Sequence, residues 1–248
     1  IPMPEIGHRL EGLVAAISEA VAETDEALFD KYFSGEQFTP EEMHRGIANG
    51  IKSGTIAPVY CGSSLTLEGI DLMLDGMAKL LPSAKDKAGE IAVDANEEPV
   101  EIECDENAPL AAYVFKTVAD PFVGKLSYFK VVSGKLSPEV APVNARTGQP
   151  ERLGKMLCVR GKKQEEVKYI GAGDIGAVTK LSETKTGDTL CDPKRVVSFE
   201  KTNFPAPTLS MAIKAKAKGD EGKIAQGIAR LMEEDMTIAF EQNNETHQ

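Results

Sequence analysis

The sequence predicts an α+β chain of several domains: a helical segment, a central antiparallel β-barrel and a short βαβ unit. Apolar residues recur at three- and four-residue steps from Ile6 to Val21, as on an amphipathic helix. The middle of the chain alternates apolar and polar residues between Gly-Lys and Gly-Asp turns. A run of 248 residues, 42% of them apolar, can hold two or three small cores.

Residues 1–82 form the first predicted domain. Thr24 is predicted to cap a short helix, and Thr39-Pro40-Glu41-Glu42 has the pattern of a capping box, with a helix ending near Gly54. Residues 55–61 predict an apolar strand, followed by a small-residue turn and a helix that Pro82 stops. We expect this strand, turn and helix to be the remnant of an α/β unit, whose turn is a place where ligands bind.

Three further segments follow. Residues 83–107 are polar and acidic, which indicates a linker with at most one edge strand. Residues 108–203 carry six short β-like runs and predict a complete barrel. Residues 204–248 predict the start of another domain, a partial ferredoxin-like βαβ unit with strands near 208–216 and 236–241 around a helix at 219–234.

The charge is divided unevenly along the chain. Residues 1–105 contain 21 acidic and 7 basic residues, a net −14, whereas residues 106–205 contain 11 acidic and 16 basic residues, a net +5. An acidic segment joined to a basic one favours two partners of opposite charge, one of them a nucleic acid. Ordinary solvated surface is the alternative.

Several classes of protein are excluded or disfavoured. No apolar run approaches the roughly 20 residues that span a bilayer, so we expect no membrane partner. The four cysteines are widely spaced and the three histidines are scattered, which disfavours a metal site and fits reduced thiols in a cytoplasmic protein. No Ser-His-Asp, Cys-His or paired-carboxylate arrangement can be assembled, so we predict no catalytic residue in this chain.

Nucleotide-binding motifs are also missing. None of the five Gly-Lys pairs is followed by Ser or Thr, and no Asn-Lys-x-Asp motif occurs. Gly171-x-Gly173-x-x-Gly176 has the letters of a dinucleotide fingerprint, but the alternating residues that follow predict a strand rather than the required helix. On its own, this chain should not hydrolyse a nucleotide.

A basic hairpin tip is the candidate contact with nucleic acid. Arg160, Lys162 and Lys163 surround Gly161 between two predicted strands. Clustered cations bind phosphate backbones through counterion release, so we expect this loop to contact RNA. The alternative is a tip that only keeps the protein soluble.

These residues together resemble bacterial elongation factor G over essentially the whole chain. The strings DPFVGKL, SGKL, AGDI and TGDTLCDP look like its second domain, a β-barrel shared by translational GTPases. Residues 1–54 resemble the helical insertion of its G domain, and CGSSL at 61–65 looks like the last guanine-binding motif. FPAPTLSMAI and ARLMEEDMT look like the opening of its third domain. VRGKKQEE replaces the barrel's usual loop and is similar to that of elongation factor G-like paralogues.

The resemblance implies a fragment of a ribosomal GTPase that couples GTP hydrolysis to translocation. It implies that Gly62, Ser63 and Ser64 help to hold guanine in a full-length parent, which would bind GTP and Mg²⁺ through segments before Ile1. It also implies that the barrel contacts small-subunit ribosomal RNA and that the acidic helical segment contacts the ribosomal stalk protein. Two alternatives stay open: a non-enzymatic ribosome- or RNA-binding module, and a ribosomal protection factor of the tetracycline-resistance type.

Overall fold

The computed structural model describes residues 8–87, 89–120, 124–217 and 219–241. The chain divides into two compact units, Ile1–Lys87 and Ala88–Gln248. The first unit is helical and the second is built mainly from antiparallel strands. The predicted α+β, multidomain class is therefore confirmed.

The described part of the helical unit contains four α-helices and one short 3₁₀ helix. Their bounds are α1 His8–Ala22, α2 Glu26–Phe33, α3 Pro40–Ser53, α4 Ile70–Leu80 and the 3₁₀ turn Ala84–Asp86. The cap of α2 is Asp25 rather than the predicted Thr24, because the Asp25 carboxylate accepts hydrogen bonds from the first turn, at 2.9 Å from Ala27 N. Ile6 of the predicted stripe lies outside the described residues.

The capping box of α3 forms as the sequence predicts. Glu42 N donates to Thr39 Oγ1 at 3.2 Å and Thr39 N donates to Glu42 Oε2 at 2.8 Å. Lys31 Nζ also donates to Glu42, at 2.7 Å, and ties α2 to the start of α3. The bond from Lys31 and those from Thr39 lower the pKa of Glu42 to about 2. The helix ends at Gly54, whose φ of 80° is the left-handed cap that favours glycine.

The predicted strand at residues 55–61 is wrong. This segment runs to α4 without pairing to another described strand, and Val59 in it is 87% exposed. A strand needs a neighbouring strand with which its backbone groups can form hydrogen bonds. The helix α4 cannot take that place, because its own backbone groups are already hydrogen-bonded within the helix. The described residues therefore keep the turn and the helix of the predicted α/β unit but not its strand.

The second unit contains twelve strands within its described residues, and every described pairing between them is antiparallel. Their bounds are β1 Glu90–Asp94, β2 Pro99–Ile102, β3 Ala111–Asp120, β4 Gly124–Ser133, β5 Lys135–Leu136, β6 Val143–Asn144, β7 Met156–Arg160, β8 Lys163–Glu166, β9 Ile170–Gly171, β10 Ile175–Thr179, β11 Thr189–Cys191 and β12 Val197–Phe199. The largest sheet has the order β6-β11-β3-β4-β10-β7-β8, and two smaller sheets, β12-β1-β2 and β5-β9, accompany it.

The main core lies inside this β structure. Alternate residues of β3, β4 and β10 point into it, among them Val114, Phe129 and Val178, each fully buried. The opposite faces of β4 and β10 are also partly covered, because Leu126 and Ala177 pack in a separate small cluster. The residues that follow the fingerprint-like glycines lie in β10, so the strand predicted there, in place of a helix, is confirmed.

Residues 90–102 form a hairpin rather than the predicted linker. β1 pairs with β2 and with β12, placing Ala92 opposite both Val100 and Phe199. A second apolar cluster forms beneath this sheet, in which Ile102 and Val197 are buried. The alternation of β1 is the reverse of the usual pattern, because Ile91 and Val93 are exposed while Glu90 and Asp94 share the face of buried Ala92, and this concealed the strand in the sequence.

The end of the chain holds helix α5, Glu221–Glu234, which confirms the helix predicted at 219–234. The predicted strands at 208–216 and 236–241 do not form among the described residues. Leu209 and Met211 are 78% and 80% exposed, so no described strand or apolar layer covers them. Alternation alone does not make a strand where backbone groups lack a pairing edge.

Candidate functional site

The turn that holds Gly62, Ser63 and Ser64 is closed by its own backbone. Ser63 N donates to Glu68 O at 2.9 Å, and Leu67 N donates to Ser63 O at 2.8 Å. A Cβ at Gly69 would lie 2.4 Å from Cys61 O, and one at Gly62 would lie 2.9 Å from Glu68 O. Glycine is required at both positions because the two arms of the turn approach so closely.

This geometry limits what the turn can offer a ligand. Ser63 N is used within the turn, whereas no hydrogen bond among the described residues involves Gly62 N or Ser64 N. The Ser63 hydroxyl accepts from Thr66 N at 3.2 Å. The turn is exposed and precedes α4, so its backbone N–H groups are available to oxygen atoms of a ligand.

The structure brings Arg160, Lys162 and Lys163 together at one hairpin tip. Arg160 and Lys163 form the last pair of the β7–β8 ladder, and Gly161 between them has φ of 59°. The side chains of Arg160 and Lys163 are 67% and 75% exposed. The tip therefore projects its cations into solvent.

Glu165 partly neutralises this tip, which the sequence did not predict. Arg160 Nη2 donates to Glu165 Oε2 at 2.7 Å, and Lys163 Nζ lies 3.2 Å from Glu165 Oε1. These hydrogen bonds, that from Arg160 first, lower the pKa of Glu165. Among the described residues no carboxylate pairs with Lys162, so it is the cation of the tip that is fully available to a phosphate.

A buried polar network was not predicted as a site. Asp188, 2% exposed, accepts hydrogen bonds from Arg146 Nε at 2.8 Å, Arg146 Nη2 at 2.9 Å, Asn144 Nδ2 at 3.0 Å and Lys185 N at 2.9 Å. Burial raises the pKa of Asp188, but the hydrogen bonds from Arg146, Asn144 and Lys185 outweigh it and hold the pKa below its ordinary value. The same contact with Asp188 raises the pKa of Arg146.

A second buried carboxylate lies next to this network. Glu151 is 4% exposed and accepts from Glu183 N at 2.9 Å and from Thr184 Oγ1 at 2.7 Å. Thr184 Oγ1 in turn accepts from Asn144 Nδ2 at 3.0 Å. Every interaction here joins the loop before β11 to the segment around β6, which indicates a structural role. The sequence marks Asp188 only as a turn residue; its burial depends on contacts more than 30 residues away.

The remaining chemistry is sparse. Within the described residues no three His, Cys, Asp or Glu side chains are grouped so as to hold a metal ion. The four cysteines are free thiols in the structure. None of the described helices has the length and apolar character that crossing a membrane requires.

Comparison with known proteins assigns the β unit and the end of the chain. The family model for elongation factor G domain 2 matches residues 109–193. The model for elongation factor G domain III matches residues 204–248. The two matches are in the order expected from the sequence strings, and together they cover more than half of the chain.

A solved structure is similar over the whole chain. It is a crystal structure of a protein from Thermus thermophilus, 26% identical, with a TM-score of 0.77. The superposition covers 100% of this chain and 35% of that one, so the chain spans about a third of the length of the protein it matches. This chain therefore belongs to the elongation factor G family, of which it carries domain 2 and residues of domain III.

Proposed function

We propose that this chain is part of a ribosomal translational GTPase that couples GTP hydrolysis to translocation in the cytoplasm. The consecutive domain 2 and domain III matches are the observation that carries the proposal, because this pair of domains defines an elongation factor rather than a general RNA-binding barrel. In a full-length protein, GTP and Mg²⁺ would bind to segments that contain a phosphate loop, a motif these 248 residues lack.

The hairpin tip is the proposed contact with small-subunit ribosomal RNA. Lys162 carries no carboxylate partner among the described residues, and Arg160 and Lys163 share the single Glu165. Binding to phosphates would release counterions and separate these cations from Glu165. We expect the chain to bind small ribosomal subunits in sedimentation assays at low salt. Replacing all three cations with Ala should weaken that binding, whereas Lys194→Ala with Lys214→Ala, two exposed lysines elsewhere, should not.

The helical unit is the proposed contact with the ribosomal stalk protein. Its residues lie in the segment with a net charge of −14, and several apolar side chains of its helices are exposed, including Phe33 at 71%. An acidic surface with apolar positions fits a basic, amphipathic partner. Mixing the chain with purified stalk protein should give a salt-sensitive complex that a fragment of residues 88–248 does not form.

The turn at Gly62–Ser64 is proposed to complete a guanine site in the full-length protein. Its free Gly62 and Ser64 N–H groups suit the carbonyl oxygen of a base. Since a phosphate cradle provides most of the affinity for a nucleotide, titration calorimetry of this chain with GTP should show no micromolar binding. Micromolar binding would contradict the assignment of a partial site.

The domain matches favour this proposal over a non-enzymatic module. A protection factor of the tetracycline-resistance type is the other alternative from the sequence, and the domain 2 match at residues 109–193 includes the strings that favour elongation factor G. A ribosome-dependent translocation assay with the full-length protein separates them, because only a translocase moves transfer RNA in the absence of drug.

A further inference from the structure

An open pocket lies on the β unit beside the turn at residues 185–188. Three cationic side chains line it, together with one carboxylate and two apolar side chains; these are Arg146, Lys185, Lys201, Asp188, Phe204 and Met236. All of them belong to the same compact unit. The pocket is separate from the β7–β8 hairpin, none of whose residues lines it.

The carboxylate in this pocket has no capacity left for a cationic ligand. Oδ1 of Asp188 accepts from Arg146 Nε at 2.8 Å, and Oδ2 accepts from three donors between 2.9 and 3.0 Å. Because it is also 2% exposed, it acts as an internal counter-ion rather than as a ligand-binding group. Three cations and one carboxylate leave the lining with two surplus positive charges.

One of the three cations that line the pocket is held in place by other groups of the chain. Arg146 is fixed by its fork on Asp188 and by Nη2 donating to Glu183 O at 2.8 Å, whereas its Nη1 makes no hydrogen bond among the described residues. Lys201 Nζ lies 4.0 Å from Asp188 Oδ1, beyond hydrogen-bond length, and the side chain of Lys185 has no described ion pair. The fixed guanidinium of Arg146 and the two nearby lysine ammonium groups are all cationic hydrogen-bond donors. Such groups are the ones that proteins use to bind phosphate.

The apolar lining indicates what carries the phosphate. Phe204 is 42% exposed and Met236 is 39% exposed, so both present surface to a ligand beside the cations. An aromatic ring next to phosphate-binding cations is the arrangement by which proteins bind single-stranded RNA, with the base stacked on the ring. We propose that this pocket binds a phosphate group of a single-stranded RNA segment, with the adjacent base against Phe204.

This inference rests on the proposed function only in naming RNA as the molecule that carries the phosphate. The pocket can therefore fail to bind phosphate while the proposed function stands, and the reverse is also possible. The test is a titration of the ¹⁵N-labelled 248-residue chain with inorganic phosphate and with a uridine hexanucleotide. We expect saturable shifts of the Thr186 and Gly187 amides with both probes. Lys185→Ala with Lys201→Ala should weaken both affinities at least about tenfold, the usual effect of losing a charge-assisted hydrogen bond.

The controls localise the effect. The Lys194→Ala, Lys214→Ala variant loses the same charge and should bind both probes with nearly the affinity of the unchanged chain. The hairpin variant of Arg160, Lys162 and Lys163 should keep its affinity for inorganic phosphate. The inference is overturned if no saturable shift occurs at Gly187, or if the pocket variant binds like the control. If phosphate binds but the hexanucleotide does not, the pocket takes free phosphate and the RNA part is wrong.

Discussion

Replacing Asp188 with Asn tests the network that holds the loop before β11. The carboxylate receives four hydrogen bonds, two of them from the Arg146 guanidinium. An amide of the same shape keeps one acceptor oxygen and turns an NH₂ group toward donors. Breaking a buried ion pair costs about 3–5 kcal/mol, and we expect the low end, roughly 3 kcal/mol, because Arg146 is 36% exposed and regains water.

The assay is urea unfolding followed by the amide signals of β10 and β11. Asp105→Asn is the matched control, since the exposed side-chain carboxylate of Asp105 accepts only local hydrogen bonds, among them one from Asn107 N at 2.9 Å. The control should lose no more than about 1 kcal/mol, as for a turn or cap residue. We expect Asp188→Asn to lower the free energy of unfolding by roughly 3 kcal/mol. If instead the loss lies within about 0.5 kcal/mol of that of the control, the reasoning is refuted.

The pH dependence gives the same prediction an independent readout. The pKa of Asp188 is lowered in the folded chain from its ordinary value of 3.8. Its contribution to the free energy of unfolding is therefore complete above pH 3.8 and is lost as the pH falls through the folded pKa. The Asp188→Asn variant should lose less of its stability than the unchanged chain does on acidification below about pH 4.

Three further predictions concern the rest of the chain. In thermal unfolding, Gly46→Ala should destabilise the helical unit by roughly 1–2 kcal/mol relative to the control Gly12→Ala. The new Cβ at position 46 would lie 2.4 Å from a buried methyl group, whereas one at position 12 would meet nothing within 4 Å. A ¹³C titration should give Glu42 a pKa of about 2, and Lys31→Met should raise it; an unchanged value in the variant would contradict the ion pair. Under native conditions a thiol reagent should modify exposed Cys61 but not Cys191, because burial shields the Cys191 thiol and raises its pKa. Equal rates of modification for the two cysteines would contradict that burial.

Local sequence signals predicted the helices well. The capping box at Thr39 and the helix end at Gly54 are each formed by residues within a single helical turn. Neither signal therefore depends on the rest of the chain. The strands of the barrel were predicted for a similar reason, because alternation over five or more residues records a buried face.

Apart from the cap of α2, which shifted by one residue to Asp25, the failures depend on distant partners. Residues 55–61 have the composition of a strand but no described strand to pair with, and the hairpin at 90–102 exists because β12, about 100 residues later, pairs with β1. Glu165 was visible in the sequence two residues from Lys163, but only the β7–β8 register, which places it opposite Cys158, brings it within hydrogen-bond reach of Arg160. The burial of Asp188 likewise follows from Arg146, 42 residues away.

The salt dependence of binding to small ribosomal subunits tests the central claim most directly. The measurement compares the unchanged chain, the Ala variant of Arg160, Lys162 and Lys163, and Glu165→Gln. Each phosphate contact contributes roughly 0.7–0.9 to the slope of log K against log salt. We predict that the Ala variant loses about 1–2 from that slope and that Glu165→Gln binds more tightly, because it releases two cations. Equal slopes and affinities for all three proteins would contradict a ribosomal RNA contact at this hairpin.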